Sequence, residues 1–173
     1  FDGLWVSSLT LSALKGMPDN GIVDFSSRLN SISEIIHVTT KPIIVDLDNG
    51  GEIEYLKDNI RRFERIGVSA IVIEDKKGLK RNSFDESSEQ EQENIKLFSE
   101  KIRVAKSSEL DNGIFLIARI ESFVLGKDVF DAIDRAKSYI EAGCDGILIH
   151  SKSIKSDQIF EFSKIYNQLK NKK

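Results

Sequence analysis

Five apolar runs recur along the chain, each ending in charged or hydroxyl residues: GLWVSS at 3–8, IIVDLD at 43–48, AIVIED at 70–75, FLIARIES at 115–122 and GILIHS at 146–151. Their cores are β-branched and almost continuously hydrophobic, which suits parallel strands covered on both faces rather than a half-exposed antiparallel sheet. Between them the period changes. Leu56, Ile60 and Phe63 share a helical stripe within 55–66, and Phe130, Ile133, Ala136 and Ile140 share another within 128–142; both stripes are expected to face the sheet. Each helix is expected to stop at a glycine, Gly67 or Gly143, the residue that best tolerates the left-handed conformation past a helix end. Further helices are expected at 24–36, 94–106 and 156–170, with Asp24 and Ser156 as N-caps. This alternation predicts an α/β fold of the (β/α)8 TIM-barrel type, present as a partial barrel of about five parallel βα units. Such a fold delivers every strand's C-terminal end to one face, where an active site is built.

Composition sets a few limits. With 173 residues, 40% hydrophobic and 31% charged, the chain can bury one sizeable core, and a single domain over 1–173 is expected. Lys plus Arg number 25 against 28 Asp plus Glu, a net charge of −3, so no nucleic-acid partner is indicated. No apolar run approaches the ~20 residues of a membrane span, so no membrane partner is expected either. The single Cys144 cannot form an internal disulfide, which fits a reducing cytoplasm. No zinc spacing, nucleotide-binding glycine motif or Ser/His/Asp arrangement is present. The sequence opens at Phe1 almost directly in a strand and closes after the helix that follows the fifth one. A complete barrel takes ~250 residues, so the chain reads as a piece of a longer protein.

The strand ends carry the candidate chemistry. In VDLD, alternation would project Asp46 and Asp48 to the same side, and Glu74 closes the next strand. Three acids converging on one rim offer oxygen ligands suited to Mg2+, and without a cation they would repel one another. Arg119 and His150 close two other strands. A guanidinium holds a phosphoryl or carboxylate group bidentately and a histidine can donate to developing negative charge, so the pair implies an anionic substrate. Taken singly, these residues are as well explained as helix caps, ion pairs or rim polars, with Arg119 pairing with Glu121; the combination favours a site. Residues 76–93 run from basic (Lys76, Lys77, Lys80, Arg81) through Asn82 and Ser83 to an acidic, Gln-rich tail. The segment is too long for a tight βα connection and reads as a candidate lid, with Lys80, Arg81 and Asn82 able to close on a phosphoryl group. Residues 85–93 carry no catalytic assignment.

The runs GLWVSSLTLSALKGMPD, DLDNGG, IEDKKGLKRNS, ARIESFVLGK and AGCDGILIHSK resemble, in order and approximate spacing, the phosphoenolpyruvate mutase branch of the isocitrate lyase superfamily, over nearly the whole chain. The resemblance implies Mg2+-dependent interconversion of phosphoenolpyruvate and phosphonopyruvate, placed in phosphonate biosynthesis, by a homo-oligomeric cytoplasmic enzyme. By the same resemblance, Ser7 with the amides of Ser8 and Leu9 would bind the substrate carboxylate, beside Trp5. Asp46 would hold Mg2+ directly, with Asp48 and Glu74 acting through its waters. Arg119, His150 and Asn82 would grip the phosphoryl group, Asp19 would lie near it, and Lys80 would help close the lid. Ser8 stands where many relatives have glycine and Asn49 where threonine is common, and the family's first strand and last two or three βα units have no counterpart here. The related lyases use a lid cysteine, whereas Lys77, Gly78 and Leu79 occupy this lid and Cys144 lies before the fifth strand. Phosphonopyruvate hydrolase is the nearer alternative, though Asn82–Ser83 resembles the mutase lid more. A non-catalytic truncated barrel that assembles with other chains is the alternative of a different class.

Overall fold

A computed structural model describes residues 1–83, 89–107 and 113–169. Five parallel strands form one sheet in sequential order: β1 (Leu4–Val6), β2 (Ile43–Asp46), β3 (Ala70–Glu74), β4 (Phe115–Ile120) and β5 (Gly146–Ile149). Helices α2 (Phe25–His37), α3 (Ile53–Arg65), α4 (Ile95–Lys106) and α5 (Val129–Ala142) connect them, and α6 (Asp157–Tyr166) follows β5. This is an α/β fold, a partial barrel of five βα units, as the hydrophobic pattern predicts. Among the described residues, no helix is long and apolar enough to cross a membrane.

The pleat sorts the strand residues between two faces. Val6, Val45, Ile71, Ile73, Leu116, Ala118 and Ile120 pack with Leu56, Ile60, Phe63, Phe98, Ile102, Ala136 and Tyr139 of the helices into one core. Their alternates, among them Trp5, Asp46, Glu74 and Arg119, turn to the opposite face. The register carries this across the sheet: Asp46 lies beside Val72, and Glu74 beside Arg119, which lies beside Leu148.

Several expected elements differ in detail. The first apolar run ends as a strand at Val6, because Ser7 caps a short helix, α1 (Ser8–Leu14), with its Oγ accepting from the Leu9 N–H at 3.2 Å. On α3 the stripe Leu56, Ile60 and Phe63 is fully buried as expected. On α5 Ile133, Ala136 and Ile140 are buried as expected, joined by Val129, Ala132 and Tyr139, while Phe130 is 69% exposed. Tyr139 can be buried because its hydroxyl has a buried partner, Asp75. Asp24 caps α2, its carboxylate accepting from the Ser27 N–H at 3.1 Å. Ser156 precedes α6 but makes no side-chain cap, since its φ of −85° and ψ of 3° lie outside the extended region from which a cap side chain reaches back. Gly143 (φ 106°) and Gly67 (φ 95°) end α5 and α3 in the left-handed conformation.

Candidate active site

Arg119 is the hub of the face turned away from the helices. It projects from the end of β4, in register with Glu74, and all three guanidinium nitrogens meet carboxylates. Nε donates to Glu121 Oε1 at 2.7 Å, NH1 reaches Asp46 Oδ2 at 3.3 Å, and NH2 contacts Glu74. NH1 and NH2 each keep a second N–H that can point at a ligand. His150, at the end of β5, places Nδ1 2.9 Å from the same Glu121 Oε1. Burial would raise the Glu121 pKa, but the hydrogen bond to His150 and the charge of Arg119 outweigh it and hold the carboxyl below its ordinary range.

A second charge cluster lies beside it. Asp48 receives Arg28 NH2 on Oδ2 and Lys80 Nζ on Oδ1, both at 2.6 Å. Burial pushes the Asp48 pKa up; the charges of Arg28 and Lys80 more than reverse this, and the carboxyl titrates below the usual value. Lys80 is the mirror case, since burial opposes its charge and Asp48 more than restores it, raising its pKa. Asp19 Oδ2 lies 3.9 Å from Lys80 Nζ, and its buried Oδ1 has no hydrogen-bond partner.

The three acids read as a metal cluster are therefore neighbours, but alternation does not place them as expected. β2 ends at Asp46, and Asp48 sits in a turn with φ 53°, left-handed for a non-glycine residue. Its N–H folds back to Asp46 Oδ1 at 3.2 Å while its carboxylate turns to Arg28 and Lys80. Among the described residues no group of three or more His, Cys, Asp or Glu is gathered on a single metal position. Asp46 and Glu74 share the single charge of Arg119, with Lys76 Nζ 3.5 Å from Glu74, and Arg28 and Lys80 pair with Asp48. The donor set is nonetheless all oxygen, which fits a hard dication, and Asp19 Oδ1 is a buried carboxylate oxygen without a hydrogen-bond partner.

The remaining sequence-derived residues are placed as follows. Trp5 lies on the same sheet face, 44% exposed, at the β1 edge. Ser8 is buried with its hydroxyl unpartnered, whereas the Leu9 amide is occupied by the Ser7 hydroxyl rather than free for a ligand. Asn82 is half-buried, its carbonyl accepting from Gln90 Nε2 at 3.0 Å. Residues 84–88 of the candidate lid lie outside the described residues.

Three participants were given no site role from the sequence. Lys76 is buried, and its Nζ donates to the Arg81 carbonyl (3.1 Å), Ser83 Oγ (3.0 Å) and Gln90 Oε1 (3.1 Å), with Glu74 at 3.5 Å. Burial lowers its pKa despite the nearby carboxylates. Its signal was parity, two residues beyond Glu74. Arg28 lies on α2 between Phe25 and Ile32, at apolar-stripe spacing, where an arginine asks for a buried acid. Glu121 lies two residues beyond Arg119 and was read only as its pairing partner.

A protein-family profile described as phosphoenolpyruvate phosphomutase matches residues 1–170. The chain belongs to that family. It is 36% identical to a phosphonopyruvate hydrolase of Variovorax sp. over 165 residues, covering 95% of this chain and 57% of the relative. A phosphoenolpyruvate phosphomutase of Tetrahymena pyriformis is 32% identical, with 95% and 55% covered. A crystal structure of phosphoenolpyruvate phosphomutase from Streptomyces platensis subsp. rosaceus superposes with a TM-score of 0.93 at 34% identity, over 99% of this chain and 59% of that one. A phosphonopyruvate hydrolase crystallised with oxalate and Mg2+ gives 0.85 at 34% identity, over 95% and 56%. The chain thus spans little more than half the length of these relatives. They are enzymes of more than one reaction class, so family membership alone leaves the reaction open.

Proposed function

We propose that this chain carries the reactive face of a phosphoenolpyruvate mutase, which interconverts phosphoenolpyruvate and phosphonopyruvate. The reaction is an isomerisation. The P–O bond of phosphoenolpyruvate breaks and leaves its electron pair on the pyruvate enolate, whose methylene carbon then forms the P–C bond, with no proton, water or oxidant entering. A loose, metaphosphate-like transfer of this kind needs positioning and charge stabilisation more than covalent help.

Arg119, oriented by Glu121, Asp46 and Glu74, would hold the phosphoryl oxygens with its outward N–H groups, and His150 would add a donor beside it. Asn82 would meet the same group from the lid. Ser7, Ser8 and Leu9 would bind the carboxylate once the Ser7 hydroxyl releases the Leu9 amide, with Trp5 as the wall. Asp46, Asp48 and Glu74 would hold Mg2+, and Asp19 would stand beside the transferring group. Bound Mg2+ supplies positive charge to substrate oxygens and so stabilises charge shifting from oxygen to carbon. In the cell such an enzyme would serve phosphonate biosynthesis in the cytoplasm, as a homo-oligomer.

The observation that favours the mutase is how residues 76–83 are tied down. Lys80 reaches Asp48 from that segment, and Lys76 holds its outgoing limb through Arg81 and Ser83 and its return limb through Gln90. A cover latched at both limbs would keep water from capturing the phosphoryl group. The hydrolase reading stands second, supported by the 36% identity to the Variovorax enzyme. A phosphorus NMR time course with phosphonopyruvate and Mg2+ separates the two. Phosphoenolpyruvate, formed by the unsubstituted protein and not by Asp46→Ala, is expected. Phosphate with pyruvate would assign the hydrolase, and an unchanged spectrum would reject both.

A further inference from the structure

Glu74 and Asp75 are consecutive acids that the pleat sends to opposite faces of β3. Glu74 joins the site. Asp75 lies fully buried beneath α5, where its carboxylate accepts four hydrogen bonds. Oδ1 takes the Glu121 N–H at 2.9 Å; Oδ2 takes Tyr139 OH at 2.7 Å, Gln92 Nε2 at 2.9 Å and Arg135 NH1 at 3.1 Å. The same groups grip residues 92–93, the return limb of the candidate lid. Arg135 NH1 donates to the Glu93 carbonyl at 2.9 Å, and the Glu93 N–H donates to the Asp75 carbonyl at 2.8 Å. Gln92 Nε2 also donates to Ser122 Oγ at 3.0 Å, beside Glu121.

An apolar filling would hold the fold about as well as a buried ionic network, so stability alone does not account for one. What it does fix is the backbone of Glu121, whose side chain carries both Arg119 and His150. An ionised Glu121 has only acceptors, so His150 Nδ1 must be the donor of their hydrogen bond. The ring's orientation and tautomer follow from where Glu121 is held, and that is set from the far side of the sheet.

We propose that Asp75 is a positioning residue: by joining the Glu121 backbone and the 92–93 limb in one network, it sets Arg119 and His150 and makes their geometry depend on that limb being seated. The inference rests on the face bearing Arg119 and His150 being the reactive one.

The chain has two histidines, and His37, exposed on α2 with Nδ1 2.6 Å from the Ser33 carbonyl, is an internal reference. Imidazole 1H–15N spectra of Asp75→Asn, Gln92→Leu and Tyr139→Phe, each verified as folded by its amide spectrum, read the geometry without turnover. The His150 Nδ1 resonance is expected to move and its protected proton to be lost, with His37 unchanged. Gln92→Leu and Tyr139→Phe touch neither His150 nor the Glu121 side chain and keep the test open if Asp75→Asn does not fold. Unmoved His150 signals in those two folded variants would overturn the proposal. In the phosphonopyruvate assay, Gln92→Leu is expected to lower kcat/KM, by on the order of 10²-fold if the reacting groups shift by about 1 Å. Responding His150 signals without any turnover would keep the positioning role and reject the proposed reaction.

Discussion

Replacing Arg28 by Met removes a buried charge while keeping most of the side chain's volume. Arg28 and Asp48 are only 9% and 11% exposed and meet at 2.6 Å, and removing one partner from a buried pair costs about 3–5 kcal/mol. Two features reduce this. Lys80 still holds Asp48 Oδ1 at 2.6 Å, so the carboxylate is not abandoned. Arg28 Nε has no hydrogen-bond partner, and its loss relieves a penalty of about 1–3 kcal/mol. A net loss of about 1–3 kcal/mol is expected, read as a fall of roughly 1 M in the urea midpoint at unchanged slope. In a cycle with Asp48→Asn the two changes should couple by at least about 0.5 kcal/mol. The pH dependence has a definite sign. The folded Asp48 pKa lies below its ordinary value of 3.8, so its contribution is complete above 3.8 and is lost as pH falls through the lower folded value. The difference between Arg28→Met and the unsubstituted protein should therefore hold from pH 7 to 5 and narrow below 3.8. A loss under about 0.5 kcal/mol, or no coupling, would refute the view that this pair organises the site.

Lys76→Met removes the donor that joins both limbs of the candidate lid, and phosphorus NMR should show a larger share of phosphate among the products; an unchanged product ratio would remove the lid from the account of water exclusion. Phe63→Ala should cost about 3–5 kcal/mol in chemical denaturation, since the ring is fully buried and meets Phe25 edge-on at 4.9 Å. Phe130→Ser, on the exposed side of α5, should change stability by no more than about 0.5 kcal/mol, which the same measurement checks. Asn94→Ala should cost about 1 kcal/mol, because the Asn94 side chain accepts the Lys96 N–H at 2.9 Å to cap α4.

Pleat parity decided what could be read from the sequence. β3, β4 and β5 run straight to their ends, so alternate residues declare their face: Glu74 and Lys76, Arg119 and Glu121, and His150 on one side, Asp75 and Ile120 on the other. That is why apolar runs and their terminal residues were enough to bring Glu74, Arg119 and His150 together. Parity survives a residue or two past the strand end at Lys76, Glu121 and His150, and fails where the backbone turns left-handed. Asp48 lies two residues past the end of β2 in a left-handed turn, and its direction is set by Arg28 from α2 and Lys80 from the 76–83 segment, partners about 20 and 30 positions away that no local period reports. Phe130 departs for another reason: Ile133, Ala136 and Ile140 keep the buried stripe, and its N-terminal end passes to Val129, while Tyr139 joins it with its hydroxyl on Asp75, a tertiary pairing invisible to hydrophobicity. The same parity that hides Asp75 among the core residues gives it its place: a carboxylate sent to the helix side at a strand's end can hold the neighbouring strand's end by its backbone, and here that neighbour is Glu121.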